Sequence, residues 1–489
     1  AGHPAPGARA GSVGDRVSNP LPPQVAERLR ALRERPIEPT EKGFGPLATA
    51  RSAGPADPAC AGDAGVTAAS LAAARPLWHA AGFSYPLLTL RESALANNIE
   101  AMAAYCDRAG VALAPHGKTA MSPELAARQL ARGAWGITVA TIGQLRTYRA
   151  FGFPRLLLAN ELVDEAGIAW LVAELAADPG FEAYCYVDSQ DGVRILDQVL
   201  SSSPARQRPG RRLPVLVEIG HARGRTGCRT DDGALDVAKS AAATGTLRVA
   251  GVAGYEAGFE AGYEAGYEQG IGAGSETGPL ELIAAFCRRL RGLAGILAET
   301  RPGVAGQDAA ASSGEELIVT AGGSAYFDVV TRELTAGGTA GLTVILRSGA
   351  YLTHDHGYYG AVSPVGRDAA DAPALRPALE LWAQVLSRPE PGLALLGAGR
   401  RDVGFDKGLP VPLRVVRRGV AGGASGVSGE VTELNDQHAY LRLDEATALA
   451  PGDLVCLGIS HPCTTLDKWR VIPVVDDDGR VTDTVHAFF

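Results

Sequence analysis

Two hydrophobic periods alternate along most of this 489-residue chain. From Leu87 onward, short apolar runs of strand length give way to stretches whose apolar positions recur at helical spacing. The runs Val111–Ala114, Ile137–Ala140, Arg155–Ala159, Glu182–Val187, Pro214–Ile219, Leu247–Ala253, Leu317–Thr320 and Leu342–Leu346 predict strands. The segments Pro123–Arg132, Glu165–Ala177, Pro279–Glu299 and Phe327–Thr335 predict helices between them. Pro279 suits the first turn of its helix, where no backbone donor is needed. Eight strand–helix units over about 250 residues predict a (β/α)8 barrel; a doubly wound open sheet rarely reaches that number in one domain.

The pattern changes near Leu379. VPLRVV, SGEVTELN, HAYLRL, DLVCLGI and KWRVIPVV read as strands broken by Gly and Pro, with little helical period. They predict a second, mainly β domain, to which Leu87–Leu90 could add a strand from the other end. The expected division is an N-terminal extension over 1–80, partly disordered, a barrel over 81–375, and the β domain over 376–489. The extension is rich in Pro, Ala and Gly, with a charged helical stretch near Gln24–Arg35. An aromatic-Glu-Ala/Gln-Gly unit repeats within the barrel from residue 254, and the low-complexity insertion is expected over 254–277. A Gly in each unit costs about 1 kcal/mol against Ala in a helix, so the repeat reads as a surface loop. Residues 301–315 look like a second insertion.

Composition narrows the function. Hydrophobic residues make up 46% and charged residues 20%, as in soluble globular proteins. A net charge of -8 argues against a nucleic-acid surface. No apolar run reaches membrane-spanning length, and AGHPAPGARAGSVGDR lacks the apolar centre of a signal peptide. The 7 cysteines are scattered rather than spaced as a disulfide framework. A cytoplasmic protein is expected.

Chemistry concentrates where the pattern places strand ends. Lys118, in APHGKTAMSP, follows the first barrel strand, and barrels set their reacting groups at the carboxyl ends of strands. A lysine amine there can form a Schiff base with an aldehyde cofactor. TAGGSAYFD follows the seventh strand and opens a helix, the usual phosphate cradle of such barrels. There Gly322 and Gly323 allow close backbone approach and Ser324 offers a hydroxyl. Arg225, in HARGRTGCR after strand five, and Tyr255, after strand six, also fall at strand ends. In SHPCTTLDKW, His461 and Cys463 are two residues apart, so that imidazole and thiolate could turn toward one metal ion, and nitrogen with sulfur suits zinc. His354, Asp355 and His356 in YLTHDHGYYG, and His438, are further candidates, the first cluster more for substrate than for metal.

These landmarks together resemble the fold-type III pyridoxal-phosphate enzymes of the D-serine dehydratase and D-threonine aldolase family, with its alanine racemase-like barrel. The motifs are PHGKT with Lys118, GRTG with Arg225, GYE with Tyr255, AGGS at 321–324, RSGAYLTHDHGYYG, and SHPCTTLDKW, in order from about Tyr85 to Phe489. The resemblance implies a homodimer, pyridoxal phosphate on Lys118, and cofactor contacts from Arg225, the 322–324 turn, and Tyr255 or a later tyrosine of the repeat. It also implies zinc on His461 and Cys463, since D-serine dehydratase relatives bind zinc through His-X-Cys whereas the aldolases carry His-X-Asp. The HDHGYY run is similar to that of a bacterial subgroup of amino acid deaminases.

The implied reaction is α,β-elimination of water from a D-β-hydroxy amino acid such as D-serine, then loss of ammonia to give a keto acid. Lys118 would remove the α-proton while zinc draws charge from the leaving hydroxide. Retro-aldol cleavage to glycine and an aldehyde is the nearest alternative. A non-catalytic pyridoxal-phosphate protein would resemble the barrel alone.

Overall fold

A first strand, β1 (Leu87–Arg91), is followed by the helix Glu92–Ala109 and then by the barrel. The computed structural model describes residues 19–45, 65–80, 82–203, 212–222, 224–257, 278–300, 316–418, 424–444 and 447–489. The insertion expected over 254–277 lies outside these from residue 258 on, as does all of 301–315. The barrel strands are β2 (Ala112–Leu113), β3 (Ile137–Val139), β4 (Arg155–Glu161), β5 (Glu182–Val187), β6 (Leu213–Ile219), β7 (Leu247–Gly254), β8 (Leu317–Ala321) and β9 (Leu342–Leu346). They form one parallel sheet of 8 strands in the order β2-β9-β8-β7-β6-β5-β4-β3. A parallel bridge between His116 and Thr138 joins its two edges and closes the ring. Every strand predicted for the barrel is present within two residues of its expected ends.

The strands are apolar on both faces because both faces are covered. Ala114, Leu157, Tyr184, Tyr186, Leu216, Ala250, Ala253, Ile318 and Ile345 fill the lumen as one cluster. The opposite faces pack against the surrounding helices. Those helices start promptly after their strands because the chain supplies a cap at each turn. Ser122 accepts from the Leu125 amide, Thr141 from Gln144, Asp164 from Ala166 and Gly167, Ser189 from Gly192, and Thr230 from Gly233. Short, fixed turns at this end hold the side chains of the barrel mouth in place.

The second domain comprises β10 (Leu379–Glu390), β11 (Leu393–Leu396), β12 (Val411–Val416), β13 (Ser425–Gly426), β14 (Gly429–Leu434), β15 (Ala439–Leu443), β16 (Leu454–Gly458), β17 (Val471–Val475) and β18 (Val481–His486). Its main sheet runs β13-β12-β16-β10-β1-β17-β18. β1 is antiparallel to β10 and parallel to β17, so both ends of the chain build this domain. Its core is continuous with the barrel: Leu381, Leu457 and Trp469 share a buried cluster with Ala94, Leu95, Ala120, Leu125 and Leu352. Ala120 lies two residues from Lys118, so the β domain is seated directly over the lysine turn.

Part of the N-terminal extension is packed as well. The helix Pro23–Arg33 buries Val25 in the barrel core, and Arg33 pairs with Asp483 at 2.9 Å. Phe44, Val66 and Trp78 form a cluster with Trp382 and Cys456 of the β domain. Composition alone gave no sign of these contacts.

Candidate active site

After β2 the chain turns sharply through Pro115 and His116 into a single 3-10 turn, Gly117–Thr119, which carries Lys118. Glycine is required at 117, since a Cβ there would lie 2.6 Å from the Tyr148 hydroxyl. That hydroxyl instead donates to the Gly117 carbonyl at 2.9 Å. Lys118 is half-buried in the barrel mouth. Burial lowers its pKa, the thiol of Cys463 opposes the shift, and the charges of Arg225 and Arg347 add to it. The amine therefore sheds its proton more readily than a surface lysine.

The β domain delivers the His-X-Cys pair to this turn. Cys463 Sγ donates to Thr119 Oγ1 at 3.5 Å, one residue beyond Lys118. His461 Nδ1 lies 2.8 and 3.0 Å from the two oxygens of Asp406. Burial pulls the imidazole pKa down, but Cys463 and Asp406 outweigh it and leave it raised. The rings of Tyr358 and Tyr359 stand 6.4 and 6.2 Å from that of His461. Since Asp406 takes Nδ1, the nitrogen left for a metal is Nε2, and with Cys463 it makes a nitrogen–sulfur donor set that fits zinc.

On the far side of the mouth, the Arg225 guanidinium lies 4.5 Å from the centre of the Tyr255 ring. The two line one pocket with Glu218, Gly220, His221 and Thr226. The next residue, Glu256, changes the reading of the glycine turn. Its carboxylate, fully buried, accepts from the Gly322 amide at 3.0 Å and from the Gly323 amide. Two donors expected to face a phosphate are thus held by a side chain of the protein. The Ser324 hydroxyl accepts from the Ala350 amide at 3.0 Å. The turn runs on through Ser324 and Ala325 into the helix Phe327–Thr335, whose N-terminus favours an anion. With the half-buried amine of Lys118 opposite, this turn fits a phosphorylated aldehyde.

His354 and Asp355 are buried and already engaged. The Asp355 carboxylate accepts from the amides of Gly357, Tyr359 and Gly360 at 2.9, 3.1 and 3.0 Å. His354 contacts the Asp355 carbonyl and Ser363 through its ring, at φ 45. Both shape the loop that presents Tyr358 and Tyr359. Burial holds His356 down at about 4 and leaves its Nδ1 without a partner. His438 is exposed in the turn between β14 and β15.

Further residues of the mouth, two of them inside the PHGKT and RSGAYL motifs, had no role assigned to them from the sequence. Arg347, buried, donates to Thr320 Oγ1 at 2.8 Å and to the Gly254 carbonyl at 2.6 Å. His116, beside Lys118, is half-buried, with its Nδ1 enclosed and unpartnered; desolvation and the charges of Lys118, Arg347 and Arg225 hold its pKa well below the usual value. Glu161, Asp188 and Glu218, from the ends of β4, β5 and β6, bring their carboxylates within 4.8 Å of one another. Burial and the neighbouring Glu218 push Glu161 up to about 9.

An eight-stranded parallel barrel with a lysine at its mouth, capped by a β domain that brings a His-X-Cys pair to that lysine, defines an alanine racemase-like enzyme architecture. Two family descriptions match the chain in the order of its domains: "Alanine racemase, N-terminal domain" over residues 90–269, and "Putative serine dehydratase domain" over 378–475. It is 29% identical to a D-threonine aldolase of Arthrobacter sp. over 405 residues, covering 81% of this chain and 90% of that protein. It is 25% identical to a 3-hydroxy-D-aspartate aldolase of Paracoccus denitrificans (strain Pd 1222), over 66% of this chain and 74% of that one. Among solved structures, the fold matches D-threonine aldolase from Filomicrobium marinum with a TM-score of 0.64 at 22% identity, covering 83% of this chain and 95% of that one. It also matches D-threo-3-hydroxyaspartate dehydratase from Delftia sp. HT23, with a TM-score of 0.58 at 21% identity over 83% and 97% of the two chains.

Proposed function

We propose that this chain is a pyridoxal-phosphate- and zinc-dependent lyase that eliminates water, then ammonia, from a D-β-hydroxy amino acid such as D-serine. The observation that carries the reading is the approach of Cys463 to Thr119, because it brings the His-X-Cys segment beside Lys118. Bound pyridoxal phosphate would supply an aldehyde and an electron sink at Lys118, and zinc on His461 and Cys463 a Lewis acid for the β-oxygen.

The protein's own part follows from its geometry. Lys118 Nζ, made less basic by burial, would receive the α-proton of the substrate. Arg225 and Tyr255 form the opposite wall, and the turn at Ser324 before the helix Phe327–Thr335 would hold the phosphate. Tyr358 and Tyr359 screen the His461 side from water. His461 and Cys463, beside the lysine turn, would hold the ion that draws charge from a leaving hydroxide.

Retro-aldol cleavage is a second reading, favoured by three curated relatives that are named as aldolases. The thiol at 463 favours elimination: a metal-free form is described for a cysteine-to-alanine mutant of the D-threo-3-hydroxyaspartate dehydratase. Incubation with D- and L-serine, threonine and 3-hydroxyaspartate, with and without chelator, separates the two. Ammonia with a keto acid supports elimination; glycine with an aldehyde replaces it with aldol cleavage. A homodimer in the cytoplasm belongs to the same proposal; among the described residues no helix is long and apolar enough to cross a membrane.

A further inference from the structure

We infer that Asp406 is a positioning residue for the metal centre, fixing the ring of His461 so that Nε2 faces the ion; the inference rests on the proposed metal at His461 and Cys463. Three features point to it. Both carboxylate oxygens of Asp406 lie within 3.0 Å of His461 Nδ1. Thr464 Oγ1 donates to Oδ1 of the same carboxylate at 2.6 Å, so the acid is itself held in place. The loop bearing Asp406 is stapled to the metal segment: Gly404 donates its amide to Thr465 Oγ1 at 2.9 Å, Ser460 Oγ donates to the Gly408 carbonyl at 2.6 Å, and Trp469 Nε1 donates to the Asp402 carbonyl at 2.9 Å. A Cβ at Gly404 would come 2.4 Å from Thr464 Oγ1, so this approach depends on glycine.

The arrangement has a chemical consequence. With an acceptor on Nδ1, the neutral ring carries its proton there and presents a lone pair at Nε2, the form a metal requires. A carboxylate in that place also makes Nε2 a stronger donor than an amide or water would. Lys407, next in the chain, lies 4.7 Å from the centre of the Tyr358 ring and closes the loop over the same side.

The test is zinc affinity of the pyridoxal-phosphate-loaded protein, measured by competition with a chromophoric chelator, for wild type, Asp406→Ala and Asp406→Asn. Removing such a partner typically weakens metal binding about 10–100-fold, and that loss is expected for Asp406→Ala. Asp406→Asn keeps the shape and an acceptor oxygen but not the charge, and should fall between the two. Cofactor absorbance should stay at the wild-type level in both variants. Wild-type zinc affinity in both variants would overturn the inference, as would joint loss of zinc and cofactor, which marks a collapsed loop. Failure of the wild type itself to bind zinc would overturn the metal reading first, and is distinguishable on that ground.

Discussion

Cys463 and Thr119 meet at 3.5 Å across the junction of the two domains. They are 344 residues apart in the chain, and their contact brings the β domain to the turn that carries Lys118. Neither domain alone holds both the amine and the metal pair. The shared apolar cluster of Ala120, Leu125, Leu352, Leu457 and Trp469 beneath the junction keeps the two in register.

Cys463→Ala should separate the two cofactors. The variant loses half of the protein's metal donor set but none of the contacts of the cradle or of Lys118. It should load pyridoxal phosphate normally, hold little zinc after dialysis, and eliminate water far more slowly. Atomic emission for zinc and ammonia release are the measurements. Full elimination activity without bound zinc would remove the metal from the reaction.

Lys118→Ala should abolish the absorbance of the lysine-bound cofactor and the adduct trapped by borohydride. Activity should fall by on the order of 10²–10⁴-fold from loss of the proton acceptor alone. In cofactor-free wild-type protein, the lowered pKa predicts that Lys118 reacts with amine reagents at a pH where ordinary lysines are still protonated. Peptide mapping across a pH series reads this directly. Labelling no faster than at exposed Lys239 would contradict it.

Glu256 supports the cradle from behind, and its replacement should cost both stability and cofactor affinity. Glu256→Gln turns one acceptor oxygen into a donor facing the amide of Gly322 or Gly323. Leaving a buried amide unpaired costs about 1–3 kcal/mol. Urea unfolding should shift by that amount, and titration with pyridoxal phosphate should show weaker binding. Wild-type values in both would mean that the turn holds itself.

Much of this was legible in the chain because the relevant signals are local. Strand runs such as Glu182–Val187 are buried on both faces and therefore continuously apolar. Lys118, His461 and Cys463 stood out because spacing and strand ends are sequence properties. Asp406, Glu256 and Arg347 did not, since each matters through a partner 55, 66 or 27 residues away. The same holds for the Gly322–Gly323 amides: the turn was visible, but not the carboxylate that fills it. The packing of Val25 and Phe44 was hidden for another reason, since a Pro- and Ala-rich segment has too few apolar residues to show a period.

The carboxylates of Glu161, Asp188 and Glu218 give the fold a pH dependence of its own. Both Glu161 oxygens are buried without a partner, and burial with the neighbouring Glu218 raises its pKa to about 9. In the unfolded chain the same group titrates near 4.3, as a model glutamate does. Between these values the folded protein holds a proton that the unfolded chain has released, so stability falls as pH rises through that window. It is fully present below the unfolded value and lost once the folded pKa is passed. Glu161→Gln cannot ionise and should flatten this slope, leaving the variant more stable than wild type on the alkaline side. Thermal unfolding midpoints of both proteins from acid to alkaline pH provide the comparison, and parallel curves would show that Glu161 is already charged in the native state.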